Sequence, residues 1–392
     1  MSEVIVIAAA RRTPVGAFLG VLGGASAPEL GAAALRAALS DSRVPAGKVD
    51  EVIMGCVLPA GLGQAPARQA AIGAGIPASV PATTINKVCG SGMKALMLGA
   101  DAIRAGSARV VLAGGFESMS NAPYLLPKAR RGYRMGHGQL LDHMLYDGLQ
   151  NPYDGALMGH FADATARKYG FTRAQQDAYA AESVRRALAA SQGGVFSNEI
   201  TPVRITSRKG EQLIDQDEPP FKCDLARIPN LEPAFDADGT VTAATSSSIS
   251  DGAAALVVMS ETAARDLGTP ILAHIIAYAS HAQAPEWFTT APSGAIRRVL
   301  EKCGWSVADV DLYEINEAFA VVTMAAMRDL ELDHARVNVH GGACALGHPI
   351  GASGARITTT LLHALRRRGA RRGIASLCIG GGEATAIAIE VP

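Results

Sequence analysis

Two segments of the sequence follow the same plan, and this repetition restricts the fold more than any other feature. The first runs from Gly90 to Glu117 and the second from Ala352 to Glu383. Each opens with a Ser-Gly step and an apolar helical pattern that ends in a basic residue and a glycine, followed by a short strand, a Gly-Gly turn and a glutamate. The similarity of the two segments is either due to chance or reflects a duplication. A duplication predicts a chain built from two similar α/β halves.

Short β-branched segments alternate with helical patterns along the chain. The expected strands are Val4 to Ile7, Val52 to Met54, Val110 to Leu112, Ala255 to Val258, Ala375 to Cys378 and Ala386 to Ile389. The expected helices are Glu29 to Ala38, Met93 to Arg104, Ala295 to Lys302, Ala318 to Leu330 and Ala352 to Arg368. This alternation is typical of a buried, mostly parallel sheet with helices on both faces.

Composition excludes several classes of protein. Hydrophobic residues make up 48% of the 392 residues and charged residues 18%, which is typical of a globular chain rather than a disordered one. Lys plus Arg equals Asp plus Glu at 36 each, so a basic nucleic-acid-binding protein is not expected. Apolar runs stay well short of the ~18 residues that a membrane helix needs, and no signal peptide is recognised, so we expect a cytoplasmic protein.

The six cysteines are widely separated, and no CxxC pair occurs among them. A zinc site or a dithiol redox site is therefore not indicated, and no metal is expected. Cysteines in a chain of this size are most often small buried hydrophobic residues. A catalytic role for any one of them needs further support from its surroundings.

Cys89 lies in the segment Asn86 to Gly92, between a strand-like run and a helix that starts near Ser91. A thiol at a helix N-terminus is near free N–H groups and the positive end of the helix dipole, which lower its pKa. Cys89 is thus a candidate nucleophile. The alternative is a small buried residue that lets the helix pack on the sheet.

Three further segments place reactive side chains beside turn residues. His348 lies in the glycine-rich loop 338–354, Cys378 lies at a strand end before three glycines, and Asn316 precedes a helical pattern. Ligands bind at the carboxyl ends of strands in such sheets, where glycine N–H groups can hold an oxyanion. Cys378 lies at such a strand end and is therefore a candidate acid or base. The structural alternatives are a hydrogen-bonded histidine, a buried thiol and a helix N-cap.

Four segments together resemble the active-site blocks of the thiolases, in order and spacing: Asn86 to Gly92, Asn316 to Ala320, Gly341 to Gly354 and Cys378 to Gly382. The resemblance implies two five-stranded α/β halves in a layered αβαβα core. It assigns residues 1–118 and 245–270 to the N-terminal half and 271–392 to the C-terminal half. Residues 119–244 would form an inserted loop domain for CoA binding and oligomerisation.

The resemblance also implies a role for each reactive group. Cys89 would be acylated, His348 would activate its thiol, and Cys378 would act as the second acid or base. The N–H groups of Cys89 and Gly380 would form one oxyanion hole. His348 and a water held by Asn316 would form the other. This set of groups suits a Claisen exchange, which needs a nucleophile, a base and stabilisation of two oxyanions.

The implied substrates are CoA thioesters, in a reversible condensation of acetyl-CoA with an acyl-CoA, and no metal or redox cofactor is implied. Ser247 matches a serine that contacts the pantetheine arm. The other matching pocket positions are Leu149, Met158, Phe235, Ala318 and Phe319. At Phe288, short-chain members usually carry methionine, so the chain length of the acyl group is not fixed. A homodimer or homotetramer is expected.

Two other functions remain open at this stage. A catalytically silent thiolase-like protein that binds acyl-CoA or lipid would lose reactive residues, whereas all of them are present in this sequence. A decarboxylating ketoacyl synthase uses one cysteine with two histidines, or with a histidine and an asparagine. The second cysteine, Cys378, argues against that enzyme.

Overall fold

The computed structural model describes residues 3–207 and 210–392. Its strands are β1 (Ile5–Arg12), β2 (Gly16–Ala17), β3 (Glu51–Gly55), β4 (Ala82–Ile85), β5 (Val110–Ser118), β6 (Tyr124–Leu125), β7 (Leu141–Asp142), β8 (Val203–Ser207), β9 (Gly210–Ile214), β10 (Ser250–Ser260), β11 (Ala273–Ala282), β12 (Leu312–Ile315), β13 (Arg372–Ile379) and β14 (Glu383–Glu390). Its α-helices are α1 (Ala27–Ser42), α2 (Pro66–Gly73), α3 (Ser91–Arg104), α4 (Met158–Tyr169), α5 (Arg173–Gln192), α6 (Pro219–Lys222), α7 (Glu261–Leu267), α8 (Ala291–Cys303), α9 (Ala320–Leu330), α10 (Ala343–Leu346) and α11 (Ser353–Arg368).

The central strands form two half-sheets with the same order. In the first half, β4, β3, β5, β10 and β1 lie side by side; in the second, β12, β13, β14 and β11 repeat the order of β3, β5, β10 and β1. The position of β4 is taken in the second half by a single parallel bridge between Tyr313 and Val337. The halves meet where β1 pairs with β11 at Val6 and Ile7.

Parallel and antiparallel pairs occur together in each half, so the expectation of a mostly parallel sheet is wrong. β3 runs parallel to β4 and β5, but β10 runs antiparallel to both β5 and β1. In the second half, β13 and β14 are joined by a three-residue turn, and a connection that short requires antiparallel strands.

Helices cover both faces of the sheets in the expected αβαβα order. α3 and α11, the helices of the repeat, pack against each other between the half-sheets, while α1 and α2 cover one outer face and α8 and α9 the other. Separate apolar cores lie under the two outer helical layers and around the central helix pair. The predicted layered fold is therefore confirmed, and the repeat has a structural basis.

The two repeats differ at their glycines. Gly114 and Gly115 lie inside β5, and the Gly-Gly turn expected there is wrong. A Cβ atom at Gly114 would lie 2.0 Å from the Ala254 carbonyl oxygen, and one at Gly115 would lie 2.0 Å from the Gly351 carbonyl oxygen. These glycines allow close packing. In the second repeat, Gly381 and Gly382 have φ of 91° and 92° and do form the turn.

The chain between β5 and β10 packs against the second half and reaches the carboxyl ends of the central strands. Its helix α4 contacts α9, and α5 contacts α9 and α10. Within the described residues, no helix combines the length and apolar character needed to span a membrane.

Candidate active site

One cavity of about 260 Å³ brings together Cys89, His348 and Gly380, which come from three separate segments of the chain. All seven residues expected in the substrate pocket also line it: Leu149, Met158, Phe235, Ser247, Phe288, Ala318 and Phe319. Asn316 and Cys378 do not line the cavity; both are buried behind its wall. The floor of the cavity is thus polar and reactive, and its sides are mostly apolar.

A sharp turn presents Cys89 to the cavity. Val88, directly before it, has φ of 46°, a left-handed conformation that is rare for a β-branched residue. The Asn86 side-chain oxygen accepts from the Val88 N–H at 2.8 Å, and the Ser91 hydroxyl donates to the Val88 carbonyl at 2.6 Å. The strained residue is held from both sides, and α3 begins at Ser91.

Burial raises the pKa of Cys89 to about 11, although the N–H groups of Gly380 and of Cys89 itself act on the thiol in the opposite direction. The lowered pKa expected from the helix N-terminus is therefore wrong, because the cost of burying a thiolate exceeds the stabilisation by nearby N–H groups. A thiol in this state needs a base. The two N–H groups near its sulfur are also placed to hold an oxyanion there.

His348 is the candidate for that base, because its ring is neutral and has a nitrogen that can accept a proton. Burial, together with the positive charge of Arg356, lowers its pKa to about 3. Its Nδ1 atom lies 2.5 Å from the Ser353 hydroxyl oxygen, and that hydroxyl donates its own proton to the Pro349 carbonyl at 2.9 Å. In this arrangement Nδ1 carries the hydrogen, and Nε2 of the neutral ring is free to accept a proton.

The sequence did not identify Ser353 as a functional residue. Its counterpart in the first repeat, Ser91, has a similar role, because its hydroxyl donates to the Val88 carbonyl and accepts from the Lys87 N–H at 2.8 Å. Each serine begins a central helix and fixes the loop before it. The matching Ser-Gly steps of the repeat were the signal for both residues.

Asn316 is not a helix cap. The helix that follows, α9, begins at Ala320 with Phe319 in the N-cap position. The Asn316 side chain instead lies beside His348, with Nδ2 3.5 Å from each ring nitrogen. Its Oδ1 atom is buried and has no hydrogen-bond partner among the described residues. A buried acceptor of this kind suits a polar ligand atom or a bound water.

Cys378 is fully buried near Cys89. Burial raises its pKa well above the ordinary value, and the nearby Cys89 thiol adds to the effect because two thiolates would repel each other. The Gly380 to Gly382 turn follows immediately, so one strand end supplies both the second thiol and the N–H of Gly380. Only one of the two thiols can readily ionise at a time.

Aromatic rings form the apolar wall of the cavity. Phe288 packs edge-on against Phe161 with ring centroids 6.3 Å apart, and Phe235 packs edge-on against Phe319 at 6.0 Å. Phe288 is only 3% exposed, so its ring is fixed by its neighbours. These rings set the shape of the apolar part of the cavity.

Among the described residues, no group of three or more His, Cys, Asp or Glu side chains could hold a metal ion.

Comparison with known proteins identifies the family. Residues 5–262 match the family described as "Thiolase, N-terminal domain", and residues 269–391 match "Thiolase, C-terminal domain". The chain belongs to the thiolase family.

Relatives of this thiolase match along the whole chain. It is 54% identical to the acetyl-CoA acetyltransferase of Pseudomonas aeruginosa, with 98% of each chain covered. It is 51% identical to the acetyl-CoA acetyltransferase of Cupriavidus necator, with 100% of each covered. The crystal structure of the Bacillus anthracis acetyl-CoA acetyltransferase superposes with a TM-score of 0.97 at 42% identity, covering 100% of this chain and 99% of that one. These matches do not favour the silent binding protein or the ketoacyl synthase.

Proposed function

We propose that this thiolase is an acetyl-CoA C-acetyltransferase, which condenses acetyl-CoA with an acyl-CoA and cleaves 3-ketoacyl-CoA in reverse. The observation that carries the proposal is the meeting of Cys89, neutral His348 and the Gly380 N–H in one cavity. These groups match the needs of acyl transfer to sulfur. The acetyl-CoA acetyltransferases to which the chain is similar support the choice of substrate.

In the first half-reaction, Nε2 of His348 takes the proton of the Cys89 thiol. The thiolate attacks the thioester carbonyl of the substrate, and the N–H groups of Cys89 and Gly380 hold the resulting oxyanion. The carbon–sulfur bond to CoA then breaks. The departing CoA thiolate takes the proton back from His348, which leaves an acyl group on Cys89.

In the second half-reaction, with Cys89 acylated, the Cys378 thiol passes its proton to Nε2 of His348. The Cys378 thiolate then removes a proton from the α-carbon of an acetyl-CoA, and protonated His348 together with a water bound to Asn316 holds the enolate oxygen, in agreement with the free acceptor atom of Asn316. The α-carbon attacks the acyl carbon on Cys89, a carbon–carbon bond forms, and the Cys89 thiolate leaves and takes the proton from His348. In cleavage, Cys378 returns the proton to the departing carbanion.

The substrate would reach Cys89 along the wall formed by the chain between β5 and β10. Ser247 would contact the pantetheine arm. Its N–H donates to the Ala318 carbonyl at 3.0 Å, which fixes this side of the cavity. Leu149, Met158, Phe235 and Phe319 would surround the arm, and Phe288 would limit the acyl group. We retain the division into 1–118 with 245–270, 119–244 and 271–392 as part of this proposal.

A homodimer or homotetramer is also part of the proposal. Large apolar side chains are exposed on the insertion, including Tyr124 at 66%, Met135 at 101% and Tyr153 at 74%. Exposed apolar side chains that cluster on one segment are typical of an interaction surface. Sedimentation equilibrium would determine the number of subunits. A cytoplasmic location is proposed as well, and cell fractionation would test it.

The test of the function combines thiolysis with peptide mapping. The wild-type protein should cleave acetoacetyl-CoA in the presence of CoA, and incubation with acetyl-CoA should add an acetyl group to Cys89. Cys89→Ser should lower the turnover rate by several orders of magnitude, since a serine hydroxyl is a far weaker nucleophile at this position. Cys223→Ser, which changes a partly buried thiol of the insertion, is the matched control. Acetylation at another cysteine with Cys89 unmodified would contradict the assignment.

A further inference from the structure

Glu117 is a buried carboxylate that the mechanism above does not use. It is 0% exposed and accepts three backbone N–H groups: Val57 at 2.9 Å, Leu58 at 3.1 Å and Gly351 at 2.9 Å. Burying a carboxylate is costly unless hydrogen bonds compensate for the lost water. The Cys56 thiol is a fourth donor, with its sulfur 3.6 Å from the carboxylate. Gly351 is 234 residues away along the chain.

Gly351 is fitted closely to the first half of the molecule. A Cβ atom at Gly351 would lie 2.6 Å from a Glu117 carboxylate oxygen, so any side chain there would disturb the contact. The Gly351 carbonyl in turn occupies a gap between glycines. A Cβ atom would lie 2.0 Å from that oxygen at Gly115, 2.9 Å at Gly55 and 3.0 Å at Gly92. The His348 loop therefore packs directly against glycine backbone of the first half, with no side chain between them.

Hydrogen bonds connect Glu117 with both reactive loops, the one that carries His348 and the one that carries Cys89. Gly351 lies between His348 and Ser353, the two residues that set the orientation of the base. On the other side, Val57 donates to Glu117 and accepts, at 3.5 Å, from the Asn86 side chain that also holds Val88 before the nucleophile. One carboxylate thus connects the loop of the base in the second half with the loop of the nucleophile in the first.

We propose that Glu117 is a positioning residue that docks the His348 loop onto the N-terminal half and so sets the distance between His348 and Cys89. Glu117 acts through Gly351 and Val57 and does not touch substrate. The proposal rests on the function given above. It predicts that weakening this contact slows acyl transfer to Cys89 more than it weakens substrate binding, since the cavity wall is built from other segments.

Glu117→Leu is the first test. Leucine is similar in size to glutamate but accepts no hydrogen bond, so the Val57 and Gly351 N–H groups, which share one carboxylate oxygen, both lose their acceptor. We expect kcat for thiolysis to fall about 10- to 100-fold with KM within about threefold, and acetylation of Cys89 by acetyl-CoA to slow in proportion. A kcat within about twofold of wild type would overturn the proposal.

Asp217→Asn is the matched control. Asp217 is also buried, and its carboxylate accepts the Val15 N–H at 2.8 Å and pairs with Arg12; neither partner belongs to the loop of Cys89 or the loop of His348. This variant should lose thermal stability while kcat stays within about twofold of wild type. If it loses as much turnover as Glu117→Leu at equal loss of stability, the effect of Glu117 is merely structural and the proposal fails.

A second variant keeps the test decisive if Glu117→Leu does not fold. Gly115→Ala leaves the carboxylate in place but adds a methyl group against the Gly351 carbonyl, which should push the loop away and lower kcat in the same way. Full turnover in Gly115→Ala would refute the docking role. A wild-type protein that neither acetylates Cys89 nor cleaves acetoacetyl-CoA would instead refute the proposed function itself, so the two failures are distinguishable.

Discussion

The Nδ1 atom of His348 lies 2.5 Å from the hydroxyl oxygen of Ser353, at the first residue of the central helix α11. When the Ser353 hydroxyl donates to the Pro349 carbonyl, its oxygen accepts from the imidazole Nδ1–H. This arrangement sets both the tautomer and the orientation of the ring. In the proposed mechanism it leaves Nε2 of His348 as the proton acceptor.

Ser353→Ala should leave His348 in place but remove the acceptor that selects its tautomer. We expect kcat to fall roughly 10- to 100-fold, less than loss of the base itself. Ser260→Ala is the control, because Ser260 caps α7 and should cost only about 1 kcal/mol of stability. Thiolysis rates and urea unfolding of the two variants provide the comparison. Unchanged turnover in Ser353→Ala would mean that other contacts hold the ring.

Asn316→Ala should remove the buried acceptor beside His348. Loss of one group that stabilises an oxyanion typically costs about 10² to 10³ in rate. Stability should change little, since Asn316 does not cap α9. Measurement of kcat and the melting temperature separates the two effects. A lower melting temperature with turnover within a few fold of wild type would favour a structural role.

Cys378→Ala should separate the two half-reactions. Transfer of the acetyl group to Cys89 needs His348 and an oxyanion hole, whereas carbon–carbon bond formation needs a group that takes the α-proton. We expect the variant to become acetylated on Cys89 but not to condense acetyl-CoA or exchange its α-protons with solvent deuterium. Mass spectrometry and NMR follow the two steps. A variant that still condenses would disprove the two-cysteine mechanism.

Phe288→Met should change the preference for acyl chain length. The ring of Phe288 is buried against Phe161, whereas methionine has a flexible side chain that adapts to longer groups. One methylene in an apolar pocket is worth roughly 1 to 3 kcal/mol, so the change in specificity should be steep. Thiolysis of 3-ketoacyl-CoA esters of increasing length measures it. An unchanged length profile would remove Phe288 from the acyl pocket.

His348 should make stability depend on pH. Its pKa is about 3 in the folded protein and 6.5 in the reference state, so between these values the unfolded chain binds a proton that the folded chain does not. Stability from this group is present above pH 6.5 and is lost as pH falls. From about pH 7.5 to about pH 5 the loss should be about 2 kcal/mol.

Urea unfolding at the two pH values measures this loss. His348→Gln should show a smaller decrease than wild type by about that amount, because glutamine does not titrate. His137→Gln, at an exposed position of the insertion, is the control and should keep the wild-type decrease. Equal decreases in all three proteins would show that His348 does not control the effect.

Local patterns in the sequence were enough to predict the plan of this protein. Apolar periodicity and the two Ser-Gly helices predicted the duplicated halves, and the structure confirms them as α3 with β5 and α11 with β13. The four thiolase-like segments predicted the family, and three of the five proposed catalytic residues line one cavity. These features are encoded by residues that are near one another in the chain, so no knowledge of packing was needed.

Only the tertiary structure decided the pKa values and the hydrogen-bond partners of the reactive side chains. Burial reversed the expected pKa shift of Cys89, and the backbone path made Asn316 a neighbour of His348 rather than a cap. Gly115 lies within a strand and packs closely against Gly351. The Gly351 N–H also donates to Glu117, 234 positions away in the sequence. Desolvation and hydrogen bonding depend on what surrounds a group in space, which the local sequence does not specify.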